Sequence, residues 1–196
     1  IEEALSGEML KNNPALTWRH IYNLEKACRG AGPNDSHRII AQLEKRMKSV
    51  LVLTQNVDGF HRQAGSKNII DIHGDIHDLK CTKCNFKEFK NDFGDLDIPP
   101  YCEKCSHVLR PDVVLFGELL SIAKLANFQA QMENGFDMIF SIGTSNAFSY
   151  IVEPIYYAIN HEIFSVEINP ENTVISDLVD VKINKRAVNV LREIWQ

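Results

Sequence analysis

A chain of 196 residues, 44% hydrophobic and 24% charged, has room for one domain of ordinary size and a small insertion, which excludes two large domains. Its net charge of -5 offers no broad surface for neutralising phosphates, so no direct contact with nucleic acid is expected. No apolar run approaches the roughly 18 residues of a membrane helix, and nothing resembles a secretory signal, so we expect no membrane partner and a cytoplasmic protein whose thiols stay reduced.

Residues 1–30 read as a helical segment of a small lobe, polar and loosely held as far as about Asn13. Gly30-Ala31-Gly32 looks like part of a phosphate loop, yet no strand precedes it and Pro33 follows it. It reads instead as the turn before Asn34, which caps a helix predicted to run to about Lys48 with Ile39, Ile40, Leu43 and Met47 on one face. Leu51 to Leu53, Asn68 to Ile72, Val113 to Phe116, Met138 to Ile142 and Ile163 to Ile168 are short apolar runs, the form of strands buried on both faces. Ile151 to Asn160 and Ala187 to Trp195 carry helical patterns. This alternation predicts an α/β fold: a Rossmann-like parallel sheet with helices on both faces, plus a small zinc-binding lobe. Residues 31–74 and 111–196 form the nucleotide-binding domain in this reading, and 75–110 form the lobe.

The lobe is read from Cys81, Cys84, Cys102 and Cys105. Two Cys-x-x-Cys knuckles, separated by residues 85–101, can bring four thiolates around one zinc ion. With every position filled by sulfur, such an ion holds structure and performs no chemistry. Paired disulfides are disfavoured because Cys28 makes the count odd. Asn91 to Asp95 and Pro99-Pro100 are expected to break regular structure, and few apolar side chains remain for a private core. Zinc, contributing on the order of 10 to 16 kcal/mol to such modules, fills that gap.

Polar residues cluster where the predicted strands end, and in open parallel sheets the carboxyl ends of strands are where ligands bind. Gln55-Asn56-Val57-Asp58 follows the first strand, though such residues also make plain turns. His73-Gly74 follows the second, and a lone histidine is more often a satisfied core residue than a catalyst. Gly143-Thr144-Ser145 offers backbone amides and hydroxyls that can receive phosphate oxygens, a weak signal by itself. Glu167 to Glu171 offers carboxylates and amides for ribose hydroxyls. Four such ends in series outline one crevice long enough for a dinucleotide.

At this point the chain resembles the sirtuins, NAD-dependent protein-lysine deacylases. The residues that carry the likeness are Pro33-Asn34 with His37, Thr54 to Asp58 with His61 and Ala64-Gly65, Ile72-His73-Gly74, the cysteine quartet, Arg110 to Glu118, Gly143-Thr144-Ser145 and Asn169. The resemblance implies NAD as co-substrate, one structural zinc and acyl-lysine proteins or peptides as partners. It implies His73 as general base, with Asn56 and Asp58 also in the reaction. Gln55, Asn56, Val57 and Asp58 would surround the nicotinamide and its ribose, while Gly143, Thr144, Ser145, Asn169, Pro170, Glu171 and Ala187 would hold the rest of NAD. Val114, Phe116 and Gly117 would pair with an extended substrate peptide, which a strand edge can accept without reading much sequence. The product would be O-acyl-ADP-ribose. A non-catalytic NAD- or ADP-ribose-binding module and a mono-ADP-ribosyltransferase are the alternatives.

Two departures from the family pattern bear on activity. The Gly-Ala-Gly-x-Ser loop that in sirtuins cradles the pyrophosphate has no match before Thr17, so we expect a fragment, a processed form or a paralogue without that loop, and weak NAD binding by these residues alone. Sirtuins that remove acidic acyl groups tend to carry Tyr-x-x-Arg before the Pro-Asn element. Here the order is reversed in Arg19-His20-Ile21-Tyr22, so that Arg19 reads either as a partner for an acyl carboxylate or as an exposed helical arginine, and acetyl is the expected acyl group.

Overall fold

The computed structural model describes residues 1–195. In chain order its elements are α1 (Gly7–Asn12), α2 (Pro14–Cys28), α3 (Asp35–Leu43), β1 (Val52–Thr54), α4 (Phe60–Ala64), β2 (Ile69–Asp71), β3 (Gly74–Cys81) and β4 (Lys87–Phe89). There follow β5 (Leu109–Val113), α5 (Ile122–Glu133), β6 (Met138–Ile142), α6 (Ser149–Asn160), β7 (Phe164–Ile168), β8 (Val181–Ile183) and α7 (Ala187–Ile194). The chain divides into two compact units, one of residues 1–32 and 50–125, the other of 33–49 and 126–196. Among the described residues, no helix is long and apolar enough to cross a membrane.

The first unit contains a parallel pair and an antiparallel sheet. β1 runs parallel to β2, with Leu53 opposite Ile70, and β3 is flanked by β4 and β5, both antiparallel to it. The core lies between α1, α2 and this sheet: Leu10, Trp18, Ile21, Leu79, Phe93 and Leu115 are buried together. Trp18 is fully enclosed, donates its indole N–H to the Leu109 carbonyl at 2.7 Å and meets Phe93 edge to face at 5.6 Å. Such a pair combines large apolar burial with a satisfied polar tip.

The second unit is a three-stranded parallel sheet in the order β6-β7-β8, covered on both faces. On one face Val166, Ile168 and Ile142 pack against Ile39 of α3 and Val190 and Leu191 of α7. On the other, Ile139 meets Val152 and Ile155 of α6 together with Ile175. Asn34 caps α3 by a reciprocal pair of bonds, its Oδ1 accepting from the Ser36 amide at 2.9 Å while its own amide donates to His37 Nδ1 at 3.2 Å.

Three expectations are corrected. The helix from Asn34 ends at Leu43, not near Lys48, and Met47 is half exposed, because the chain turns at Glu44 to Met47 before β1. The strand expected over Val113 to Phe116 lies earlier, at Leu109–Val113, and is antiparallel: it pairs with β3, in register Cys81 to Leu109, rather than with the parallel strands. The segment from Gly74 is more regular than its breakers suggested. Asn91 to Asp95 and Pro99-Pro100 are indeed irregular, but the eight-residue β3 and the short β4 precede them.

The core of this segment is shared with α1 and α2, so its stability depends on the shared face as well as on metal. We expect Phe93→Ala to cost about 3 to 5 kcal/mol, the usual range for emptying a packed aromatic site. Equilibrium denaturation in urea measures it, and a loss below about 1 kcal/mol would show that the segment does not rely on that core.

Candidate active site and metal centre

The sulfur atoms of Cys81, Cys84, Cys102 and Cys105 lie within 4.8 Å of one another. Individual separations are 3.4 Å for Cys81 to Cys105, 3.6 Å for Cys84 to Cys102 and 3.5 Å for Cys84 to Cys105. A tetrahedron of Zn–S bonds about 2.3 Å long has edges of about 3.8 Å, so the quartet fits one zinc ion with little adjustment. Each knuckle is made by a tight turn. The amides of Lys83 and Cys84 donate to Cys81 Sγ at 3.3 and 3.4 Å, and Ser106, in the left-handed region at φ 57°, returns its amide to the Cys102 carbonyl. Burial would raise the Cys81 thiol, but those amides and the neighbouring thiols hold it down to about 6, which favours the thiolate that metal requires. All four positions are taken by sulfur, so the centre has no open site for substrate.

The β1–β2 pair carries the polar rim of the first unit. The Ile72 amide donates to the Thr54 carbonyl at 3.0 Å, which extends the parallel pairing to the residue before His73. After β1, Thr54 Oγ1 accepts from the Asn56 amide at 3.1 Å and Asp58 Oδ1 from the Phe60 amide at 3.0 Å, so two side chains shape the turn that leads into α4. Asn56 and Asp58 line one cleft together with Thr54, Gly59 and Gly74. Gly74, at φ 87°, is obligatory: a Cβ there would lie 1.8 Å from the Asp112 carbonyl oxygen. His73 is half buried. Burial depresses its pKa, a hydrogen bond with the Gln55 backbone opposes the shift, and the Lys124 ammonium adds to it. The imidazole is therefore neutral near pH 7. Lys124 gave no signal in the sequence; it reaches this strand end across the fold, donating to the Asp71 carbonyl at 2.6 Å and pairing with its carboxylate at 2.7 Å.

The segment after β5 is fixed from both sides. Val114 donates its amide to the His73 carbonyl at 2.9 Å, and Glu118, paired with Arg110, accepts the Leu115 amide at 2.9 Å. Phe116 behaves differently from expectation. Its amide donates to Leu5 at 3.0 Å and its carbonyl accepts from Gly7 at 3.1 Å, so its backbone is occupied by the start of the chain and only its half-exposed ring is presented. Gly117, at φ 77° and exposed, lies beside it.

In the second unit, the turns after β6 and β7 are tied together. Gly143 turns at φ 62° and donates to the Ile168 carbonyl at 2.9 Å, while Asn169 Nδ2 donates to the Thr144 carbonyl at 2.8 Å. Asn169 Oδ1 accepts the Glu171 amide at 3.1 Å. Gly143, Ser145, Pro170 and Glu171 are exposed along these turns, and Ala187 opens α7, partly buried against the sheet. Glu167, one of the carboxylates considered for ribose, is fully buried and bonded inward. Asn146, also buried, was missed from the sequence because an asparagine after a Gly-Thr-Ser turn has no pattern of its own.

Comparison with known proteins supplies what geometry alone does not. A profile described as the Sir2 family matches residues 1–150. NAD-dependent protein deacylase 2 of Pseudomonas aeruginosa is 42% identical over 202 residues, covering 99% of this chain and 77% of that protein. NAD-dependent protein deacylase 1 of Caldanaerobacter subterraneus is 39% identical, covering 89% and 72%. Among solved structures, a Sir2 homologue in complex with NAD matches with a TM-score of 0.90 at 30% identity, covering 98% of this chain and 75% of that one. A Sir2 homologue variant in complex with 2'-O-acetyl ADP ribose matches at 0.88 and 30%, covering 98% and 77%.

The quartet predicts close to one zinc equivalent per chain in metal analysis of the purified protein. Cys102→Ala is expected to lose the metal and solubility together, because a three-sulfur site leaves both knuckles untied. Zinc-free protein that remains folded and monomeric would refute this.

Proposed function

The chain belongs to the Sir2 family, and from that premise we propose that it removes acyl groups, acetyl foremost, from the lysines of proteins or peptides at the expense of NAD, yielding nicotinamide and O-acyl-ADP-ribose. The observation that carries this reading is His73, a neutral, half-buried imidazole at the end of a parallel strand, beside the turn that presents Asn56 and Asp58. NAD, when bound, supplies the electrophilic ribose carbon from which nicotinamide departs and the hydroxyls that receive the acyl group. His73 takes a proton from a ribose hydroxyl at an imidazole nitrogen, a role that demands the unprotonated ring and that usually contributes about 100- to 10,000-fold in rate. Asn56 and Asp58 act at the same reaction centre, with Gln55 and Val57 holding the nicotinamide end.

In this reading Gly143, Thr144, Ser145, Asn169, Pro170, Glu171 and Ala187 hold the remainder of NAD. Val114 and Gly117 take the main chain of an extended acyl-lysine peptide, and Phe116, its backbone already engaged, contributes its ring. Acetyl is preferred over acidic acyl groups because Arg19 is exposed on α2, while the Tyr22 ring packs on the core beneath the Arg29 guanidinium at 5.6 Å. Four thiols gathered for metal suit a reducing compartment, which favours the cytoplasm. Zinc holds structure and takes no part in the reaction.

Mass analysis of an acetyl-lysine peptide incubated with NAD separates the readings: lost acetyl supports deacylation, added ADP-ribose would support transfer, and an unchanged peptide would favour a binding module. His73→Ala is expected to lower turnover by about 100-fold or more with little change in melting temperature; retention of a tenth of the activity would remove His73 from the base role. The pH profile gives an independent check. A depressed pKa keeps the imidazole neutral below its ordinary value of about 6.5, so kcat/KM should hold through that pH and fall only on further acidification. Lys124→Gln removes a cation that disfavours imidazolium and is expected to move this acid limb upward; an unmoved limb would mean that another group titrates there.

A further inference from the structure

Glu167 is a fully buried carboxylate in the middle strand of the β6-β7-β8 sheet, where an ionised group is costly unless every lone pair is satisfied. It is satisfied unusually well. Its Oε1 accepts from Thr173 Oγ1 at 2.6 Å and Asn146 Nδ2 at 3.5 Å, and its Oε2 accepts from Ser176 Oγ at 2.6 Å and pairs with Lys182 Nζ at 3.1 Å. Burial would raise its pKa, but the two hydroxyls and the ammonium outweigh burial and hold it below the usual carboxylate range.

The donors are not scattered. Asn146 closes the turn that begins at Gly143; it sits in the left-handed region at φ 55° and its amide donates to Thr144 Oγ1 at 3.3 Å. Its Nδ2 also reaches Thr173 Oγ1 at 3.0 Å. Thr173 and Ser176 follow directly on Asn169 to Glu171 and are linked to each other, Ser176 Oγ accepting the Thr173 amide at 2.8 Å. Lys182 Nζ, besides pairing with Glu167, donates to the carbonyls of Asn169 at 3.0 Å and Glu171 at 2.7 Å. One carboxylate is thus the point to which both turns are anchored. An apolar side chain would fill the same strand position at lower desolvation cost, so the retained charge has a use other than packing.

We propose that Glu167 is the positioning residue for the adenosine half of NAD, setting the separation of the Thr144 and Asn169–Glu171 turns through Asn146, Thr173, Ser176 and Lys182 without touching the ligand. This rests on the assignment of those turns to NAD.

Glu167→Gln tests it, since the amide keeps shape and one acceptor oxygen but removes the countercharge of Lys182 and presents N–H groups to hydroxyl donors. The dissociation constant of NAD by calorimetry and KM for NAD are expected to rise about tenfold or more, with kcat at saturating NAD and KM for the acetyl-lysine peptide within about twofold of wild type. Lys182→Gln is expected to weaken NAD at least as much as Glu167→Gln, because it removes the ion pair with Glu167 and the bonds to the Asn169 and Glu171 carbonyls together. If Glu167→Gln fails to fold, Thr173→Val, which deletes one hydroxyl donor at nearly constant volume, is expected to weaken NAD by about threefold or more with the same split. An NAD affinity within twofold of wild type in the folded variant, or an equal rise in peptide KM, overturns the positioning role while leaving the deacylase reading intact. Full-length wild-type protein that neither binds NAD nor deacylates peptide overturns both.

Discussion

The close approach of two backbones at Gly74 is the constraint on which the first unit depends. β2 ends at Asp71 in a parallel pair, and three residues later the same chain begins β3, an antiparallel strand packed against β5. The change of partner requires a left-handed residue pressed against the Asp112 carbonyl, a place no side chain fits. The consequences run in both directions along the chain. Upstream, His73 is held at the strand end with its carbonyl accepting from Val114. Downstream, β3 leads to the first cysteine knuckle, and β5 returns from the second to deliver Val114 to Glu118 beside the same histidine.

The metal centre and the imidazole illustrate two uses of burial. At Cys81, backbone amides and the neighbouring thiols outweigh burial and favour the charged thiolate, which suits a structural ion. At His73, burial acts with a nearby ammonium to favour the neutral ring, which suits a base. The lobe around the cysteines does not stand by metal alone, since Trp18 and Phe93 join it to α2 through a fully enclosed aromatic contact.

The second unit solves a different problem. Its turns must present polar groups at the edge of a buried sheet, and Glu167 ties them down by carrying a charge into the sheet, where it accepts from Asn146, Thr173 and Ser176 of the turns and pairs with Lys182 of β8. Such a buried network rigidifies what it connects, because a donor left without its acceptor would bear the full desolvation cost.

Spacing and order along the chain were enough to reveal the zinc quartet, the parallel strands at Val52–Thr54, Ile69–Asp71, Met138–Ile142 and Phe164–Ile168, the Asn34 cap and the family motifs, because each is a local pattern of residue types. Tertiary structure alone decided matters in which the partner lies far away in sequence. Pairing with β3 moved the expected strand at Val113 to Phe116 back to Leu109–Val113, and bonding with Leu5 and Gly7 took the Phe116 backbone. Lys124 reached the end of β2 across 53 positions, and Glu167 turned inward because Thr173 and Ser176 of the turn after β7, and Lys182 of β8, arrived to satisfy it. A charged residue reads the same in sequence whether it faces ligand or core. Only the donors that fold around it settle which, since a buried carboxylate goes where its lone pairs are met.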